Sequence, residues 1–253
     1  MYLTVRNLSV EIAGKLVLDN INITIESGKI YALMGPNGSG KSTLAQVLMG
    51  HPSYHVKKSL PSHKSSIKIG NQDILELSPD KRARLGLFLA FQNPVSVSGV
   101  NVANVLRTAA SEKMEKKHNP ALNVLRFNEE LYKASQKLKI QKELLGRSLN
   151  EDLSGGEKKK LEMLQAVSLN PKFAVFDEID TGLDVDALTI VAEGILDLKK
   201  KGCGILLITH YQRILKYARP DYVYILINGQ IKDKGGYSLA EIVEKRGFKK
   251  WLS

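Results

Sequence analysis

Residues 35–43 read Gly35-Pro36-Asn37-Gly38-Ser39-Gly40-Lys41-Ser42-Thr43. They follow Ile30-Tyr31-Ala32-Leu33-Met34, an apolar run of the length of a buried strand, and lead into Ser42–Met49, whose apolar spacing is helical. The stretch fits the pattern G-x-x-x-x-G-K-[ST] in the strand, loop and helix context which that pattern requires. Its small residues let backbone N–H groups curl around phosphates, and the helix amino end adds a positive dipole. Lys41 is expected to reach β- and γ-phosphate oxygens and the Ser42 hydroxyl to ligate Mg²⁺. The first expectation is therefore a phosphate cradle for ATP with Mg²⁺, built from Gly35 to Thr43.

Downstream, Phe173-Ala174-Val175-Phe176 is a second apolar strand, and it delivers Asp177 and Glu178 at its carboxyl end, where open parallel sheets bind ligands. Two adjacent acids there divide the chemistry: Asp177 holds Mg²⁺ through its water shell, and Glu178 orients and deprotonates the attacking water. Between the two strands lies Leu153-Ser154-Gly155-Gly156-Glu157. Ser154 and Glu157 form an S-x-x-E capping box, which starts a helix through Leu161 and Leu164, and two glycines leave that helix end open to an anion.

The segment 153–157 also resembles the signature of ATP-binding-cassette (ABC) ATPases. That resemblance implies that Ser154, Gly155 and Gly156 close on the γ-phosphate of ATP held by the opposite subunit, so that the site is completed by an ATP-dependent homodimer. Gln92, after the strand Phe88–Phe91, looks like the glutamine that senses Mg²⁺ and the attacking water. His210, after Ile205–Thr209, looks like the histidine that contacts the γ-phosphate, and Asp180–Asp184 like the D-loop, with Asp184 at its aspartate. Catalysis is thus expected of Glu178, His210, Gln92 and Lys41, and metal binding of Ser42, Gln92 and Asp177. One familiar part is missing: Val10–Val17 holds no aromatic to stack adenine, which leaves aliphatic contacts such as Val17.

The rest of the chain fits this frame. Short β-rich runs from Tyr2 to Ile30 predict a small antiparallel sheet, Ser66–Ile69 another strand, and Ser78-Pro79 the opening of a helix over Asp80–Leu85. From Val100 to Leu149 the pattern turns helical, on Leu122, Leu125, Leu131, Leu138 and Leu144, with loops at Lys116–Pro120 and Gly146–Asp152. The helix Asp186–Lys199 joins Phe173–Phe176 to a strand at Gly204–Thr209, and Asn228-Gly229 predicts a type I′ hairpin between Tyr222–Ile227 and Gln230–Lys232. The expected fold is α/β: a P-loop NTPase of ABC ATPase type, with a mixed, mainly parallel core sheet, an antiparallel β subdomain and a helical subdomain. A single domain spans 1–253, with 1–92 and 162–253 as catalytic lobe and 93–161 as helical lobe.

The 253 residues are 43% hydrophobic, and no uninterrupted apolar stretch reaches the roughly 18 residues that span a bilayer, so direct membrane insertion is not expected. The single cysteine, Cys203, excludes an internal disulfide and a Cys-only cluster, and fits a reducing intracellular compartment. The net charge of +11 sits in short runs such as Lys57-Lys58, Lys113–Lys117, Lys158–Lys160 and Lys199–Lys201 without interleaved aromatics. These read as solvated surface, and no nucleic-acid partner is expected.

Beyond the general motifs, Met34–Thr43, Asp73–Arg84, Gly86–Pro94, Asp177–Leu188 and Ile208–Tyr217 closely resemble the SufC ATPases of the SUF iron–sulfur cluster assembly system. The weakest match is His55–Ser66. The resemblance implies a cytoplasmic or organellar (stroma- or matrix-like) ATPase on a SufB-like and SufD-like scaffold, docked beside Gln92 through Asn93–Arg107. The competing readings are the nucleotide-binding subunit of an ABC transporter and, more remotely, an ABC ATPase acting on nucleic acid.

Overall fold

A computed structural model describes residues 1–57, 64–111, 120–210 and 212–252, with side chains 120–123 set aside. Lys58, the basic run 113–117, residues 116–119 of the expected loop, Tyr211 and the Leu122 side chain lie outside the described residues.

The amino-terminal runs merge into two long strands, β1 (Tyr2–Ile12) and β2 (Lys15–Glu26), joined by a turn at Ala13-Gly14 with φ of 48° and 77°. Asn7 and Asn20, both at positive φ, mark irregular register between them, which is why the sequence reads as shorter pieces. With β4 (His55–Val56), β5 (Ser66–Ile69) and β6 (Gln72–Asp73) they form the antiparallel sheet.

The second sheet holds β3 (Ile30–Met34), β7 (Leu87–Ala90), β10 (Phe173–Asp177), β11 (Gly204–Ile208), β12 (Tyr222–Ile227) and β13 (Gln230–Gly235) in the order β13-β12-β3-β11-β10-β7. All its pairings are parallel except the β12–β13 hairpin, whose Asn228 and Gly229 sit at φ of 46° and 76° as the Asn-Gly pair predicts. Successive residues of β10 serve opposite cores: Phe173 and Val175 face the antiparallel sheet and α1 (Lys41–Met49), while Ala174 and Phe176 face the helices. Burial on both sides explains the unbroken apolar runs.

The helical side comprises α3 (Val102–Ser111), α4 (Pro120–Lys137), α5 (Gly155–Leu169) and α6 (Val185–Lys200), with α8 (Ser238–Arg246) covering the sheet's other end. Three expectations are corrected here. Val97–Asn101 and Ser148–Leu149 pair as a two-stranded ribbon, β8 and β9, which reaches into the region read as helix and loop; the two segments meet across about fifty residues, a pairing that local periodicity does not encode. Leu125 is exposed, and α4 turns Phe127 inward instead, beside the expected Leu131. The strand read as ending at Phe91 stops at Ala90.

Arg82, in α2 (Pro79–Arg84), is 3% exposed and its guanidinium donates to the carbonyls of Val47, Leu48, Leu75 and Leu77 at 2.5–2.8 Å. Two of these are last-turn carbonyls of α1, where a helix runs short of internal donors, although that of Val47 also accepts from Gly50 N at 3.0 Å. Arg82 thereby fixes the helix whose amino end carries the phosphate loop. Arg82→Met should strand these acceptors and cost about 3 kcal/mol in urea unfolding; a change below about 0.5 kcal/mol would remove the brace from this account.

Candidate active site

Strands β3, β11, β10 and β7 are neighbours and run the same way, so their carboxyl ends bring four loops to one edge. There the glycine-rich loop after β3, Thr209-His210 after β11, Asp177-Glu178 after β10 and Gln92 after β7 converge. A cleft of about 410 Å³ lies among them, lined by Asn37, Lys41, Ser42, Gln92 and Glu178, with Val17 at its wall. Val17 is the aliphatic residue that the sequence offers in place of an adenine-stacking aromatic.

The loop is closely fitted. A Cβ at Gly35 would lie 2.2 Å from the Leu226 carbonyl oxygen and 2.7 Å from Ser39 Oγ, so only glycine passes there. The Lys41 ammonium, 5% exposed, donates to the carbonyls of Gly35 (2.9 Å) and Pro36 (3.0 Å) and braces the loop from inside. Burial holds its pKa below the usual lysine value, against the opposing pull of Glu178 and Asp177.

Asp177 is buried, and burial raises its carboxyl pKa, with Glu178 adding to the effect while a hydrogen bond from Ser42 and the Lys41 charge oppose it. Its Oδ1 has no hydrogen-bond partner. A buried acceptor oxygen beside a serine hydroxyl at the mouth of a phosphate loop is a donor set that suits a hard divalent cation such as Mg²⁺. Glu178 stands at φ 51°, in the left-handed region that few non-glycine residues adopt. That turn directs its carboxylate into the cleft, where Oε2 accepts from Gln92 Nε2 at 2.8 Å and Oε1 lies 3.1 Å from His210 Nδ1. Lys41, Ser42, Gln92, Asp177, Glu178 and His210 thus form one cluster.

Ser154, Gly155, Gly156 and Asp184 are not among the described residues that line this cleft. Ser154 caps α5 through the expected box: its Oγ accepts from Glu157 N at 3.3 Å and its N donates to Glu157 Oε2 at 2.9 Å. A Cβ at Gly155 would meet nothing within 4 Å, so the helix end is open. Asp184 caps α6, accepting from Ala187 N at 2.7 Å. Asp180 is buried, and its Oδ2 accepts from Thr209 Oγ1 at 3.1 Å, tying the segment after β10 to the segment after β11.

The sequence reading misses one part. Lys159, placed there in a solvated basic run, is 5% exposed, and its ammonium donates to the carbonyls of Phe91 (3.1 Å) and Gln92 (2.9 Å) and pairs with Glu162 at 3.4 Å. Glu162 Oε1 accepts from Phe91 N at 2.9 Å. Burial pushes the Glu162 carboxyl up to about 7, opposed chiefly by Lys159. Lys and Glu three apart on a helix form an ordinary surface pair, so nothing local marks this one as internal.

Fold and cleft define an ABC-type ATPase cassette. Residues 18–181 match the ABC transporter family, and the chain belongs to that family. It is 44% identical over 251 residues, 99% of this chain and 94% of the relative, to the "Probable ATP-dependent transporter ycf16" of Cyanophora paradoxa. It is also 43% identical to "Vegetative protein 296" of Bacillus subtilis (strain 168), over 97% of this chain and 91% of that one. Its backbone superposes with a TM-score of 0.77 on an "ATP binding subunit of ABC transporter" at 26% identity, covering 98% of this chain and 95% of the other. The resemblance to SufC-type ATPases stands with these end-to-end matches. No helix among the described residues is long and apolar enough to cross a membrane.

Proposed function

We propose that this chain is the ATP-hydrolysing subunit of a SUF-type iron–sulfur cluster assembly complex, dimerising on ATP to rearrange a SufB-like and SufD-like scaffold. The observation that carries the reading is the segment Asp177–Leu188, DEIDTGLDVDAL, in which the buried Asp180 follows the two site carboxylates and holds Thr209. Transporter cassettes usually read differently after those acids. Relatives matched over nearly their whole length at 43–44% identity support a protein of the same extent.

In this reading Gly35 to Thr43 cradle the phosphates of ATP. Ser42, Gln92 and Asp177 would hold Mg²⁺, which would neutralise charge on the β- and γ-phosphates. Glu178 takes a proton from water as that water attacks the γ-phosphorus in line, and the bond from that phosphorus to the bridging oxygen breaks to leave ADP and phosphate. Gln92 and His210 orient Glu178, the water and the γ-phosphate, and Lys41 binds the transferring group. No covalent intermediate is needed. Ser154, Gly155, Gly156 and Asp184 serve the ATP of the opposite subunit, in keeping with their place outside the cleft of their own chain.

The scaffold docks on Asn93–Arg107, where Val95, Val97 and Val100 are exposed beside Gln92. Val100→Asp should weaken scaffold binding about tenfold or more in a pull-down titration while ATP binding persists. Unchanged binding by the folded variant would move the interface elsewhere.

A second reading, the nucleotide-binding subunit of a transporter, is favoured by the names of several relatives, among them "Probable ABC transporter ATP-binding protein spyM18_0273" at 42% identity. Recovery of tagged Glu178→Gln protein from its native cells with ATP and Mg²⁺, followed by mass spectrometry, separates the two. Soluble SufB-like and SufD-like proteins support the assembly role, and a polytopic permease overturns it while leaving the ATPase chemistry in place.

A further inference from the structure

Two charged side chains inside α5 have no part in the proposed chemistry, yet both are spent on the peptide groups that lead to Gln92. Lys159 and Glu162 have side chains only 7% and 4% exposed. Burying a lysine and a glutamate removes both from water, a cost that their mutual attraction only partly offsets. Such a pair persists where its remaining hydrogen-bonding groups hold something in place. Here they hold Phe91 by both its N–H, donating to Glu162 Oε1, and its carbonyl, and Gln92 by its carbonyl.

The location gives those three bonds a purpose. β7 ends at Ala90, so from Phe91 onward the sheet no longer fixes the backbone. Phe91 is itself 36% exposed, too poorly covered for its ring to anchor the segment. One residue further, the Gln92 side chain must reach Glu178, and it does so at 2.8 Å. The Lys159 ammonium sits on the Gln92 carbonyl, and the amide nitrogen of the same residue's side chain sits on Glu178. Gln92 is therefore held at both ends, by α5 through its main chain and by the general-base candidate through its side chain.

We infer that Lys159 and Glu162 are positioning residues that clamp the Phe91-Gln92 backbone to α5 and thereby set Gln92 against Glu178. The clamp also joins two parts of the machine that face different nucleotides. Lys159 lies four residues along α5 from Gly155, about 6 Å of helix rise from the end offered to the opposite subunit. A shift of the Gln92 segment in its own cleft is thus carried to the amino end of α5 without passing through a mobile joint. The inference rests on the reading of Gln92 as a residue of the ATPase reaction.

The test is steady-state ATP hydrolysis by the full chain, comparing Lys159→Met, Gln92→Ala and the double variant, with a cooperative thermal transition required of each. A misplacement of the order of 1 Å at a reacting group costs about 10²-fold in rate. Lys159→Met should accordingly lower kcat by roughly tenfold to a hundredfold and leave KM for ATP within about threefold, because the phosphate loop is untouched. In the Gln92→Ala background the same substitution should have little further effect. Should Lys159→Met fail to fold, Glu162→Met, which removes the acceptor of the Phe91 N–H, carries the same comparison. Wild-type kcat in the folded variant overturns the proposal, and so does an equal loss in both backgrounds, which would make Lys159 act independently of Gln92. If Gln92→Ala itself turns over at the wild-type rate, the reading of Gln92 fails and the clamp's purpose with it. An impaired Gln92→Ala with additive losses removes the clamp alone.

Discussion

Glu178→Gln is expected to bind ATP about as tightly as the wild type and to hydrolyse it roughly 10²- to 10⁴-fold more slowly, the range that general-base catalysis supplies. The substitution keeps the shape of the side chain and its Oε1, so the left-handed turn at φ 51° and the fit of the cleft have no reason to change. It removes the basic carboxylate and places an amide nitrogen opposite either Gln92 Nε2 or His210 Nδ1, which now stand 2.8 Å and 3.1 Å from carboxylate oxygens. Loss should therefore fall on kcat, with binding retained, and the variant should accumulate in the ATP-bound state. Phosphate-release kinetics set beside a fluorescent-nucleotide titration read the two quantities separately. Turnover at the wild-type rate would take the general-base role away from Glu178, whereas equal loss of binding and turnover would make it a residue of the nucleotide pocket.

Much of this site is legible in the chain because each part is announced by a local switch of pattern. An apolar run gives way to glycines and then to helical spacing at residues 35–43, and another ends on adjacent acids at Asp177-Glu178. Strand order then follows from parallel pairing, and shared direction alone brings the carboxyl ends together. What is not legible depends on partners distant in sequence. Arg82 is one of several basic residues on a short helix until Val47 and Leu48 are placed beside it. Lys159 sits between Lys158 and Lys160 in what looks like a solvated run, and only the fold puts the Phe91 and Gln92 carbonyls within its reach. The β8–β9 ribbon fails for the same reason, since neither short strand has a periodicity of its own. Lys159, assigned to solvent with its run, is one of the two charges of α5 that the structure buries.

Lys41→Ala should act on a different quantity, the affinity for ATP itself. The ammonium holds the loop together by donating to the Gly35 and Pro36 carbonyls. Its charge is poised by opposing effects: burial weakens it, and Glu178 and Asp177 restore it. An incoming polyphosphate adds negative charge at the same point and strengthens the case for the protonated form, so the ammonium can exchange loop carbonyls for phosphate oxygens at little desolvation cost beyond what folding has already exacted. A hydrogen bond to a charged group contributes about 1.5–3 kcal/mol, which corresponds to a loss of roughly tenfold to 150-fold in ATP affinity when the ammonium is removed. The two carbonyls lose their donor too, but they are two acceptors against the four held by Arg82, so the effect on unfolding should be smaller than that of Arg82→Met. The ordering of the two variants is itself the check. Lys41→Ala should rank first in an ATP titration and second in a urea melt, and Arg82→Met the reverse. Unchanged ATP affinity in Lys41→Ala would remove the lysine from phosphate binding and leave it only as a brace of its own loop.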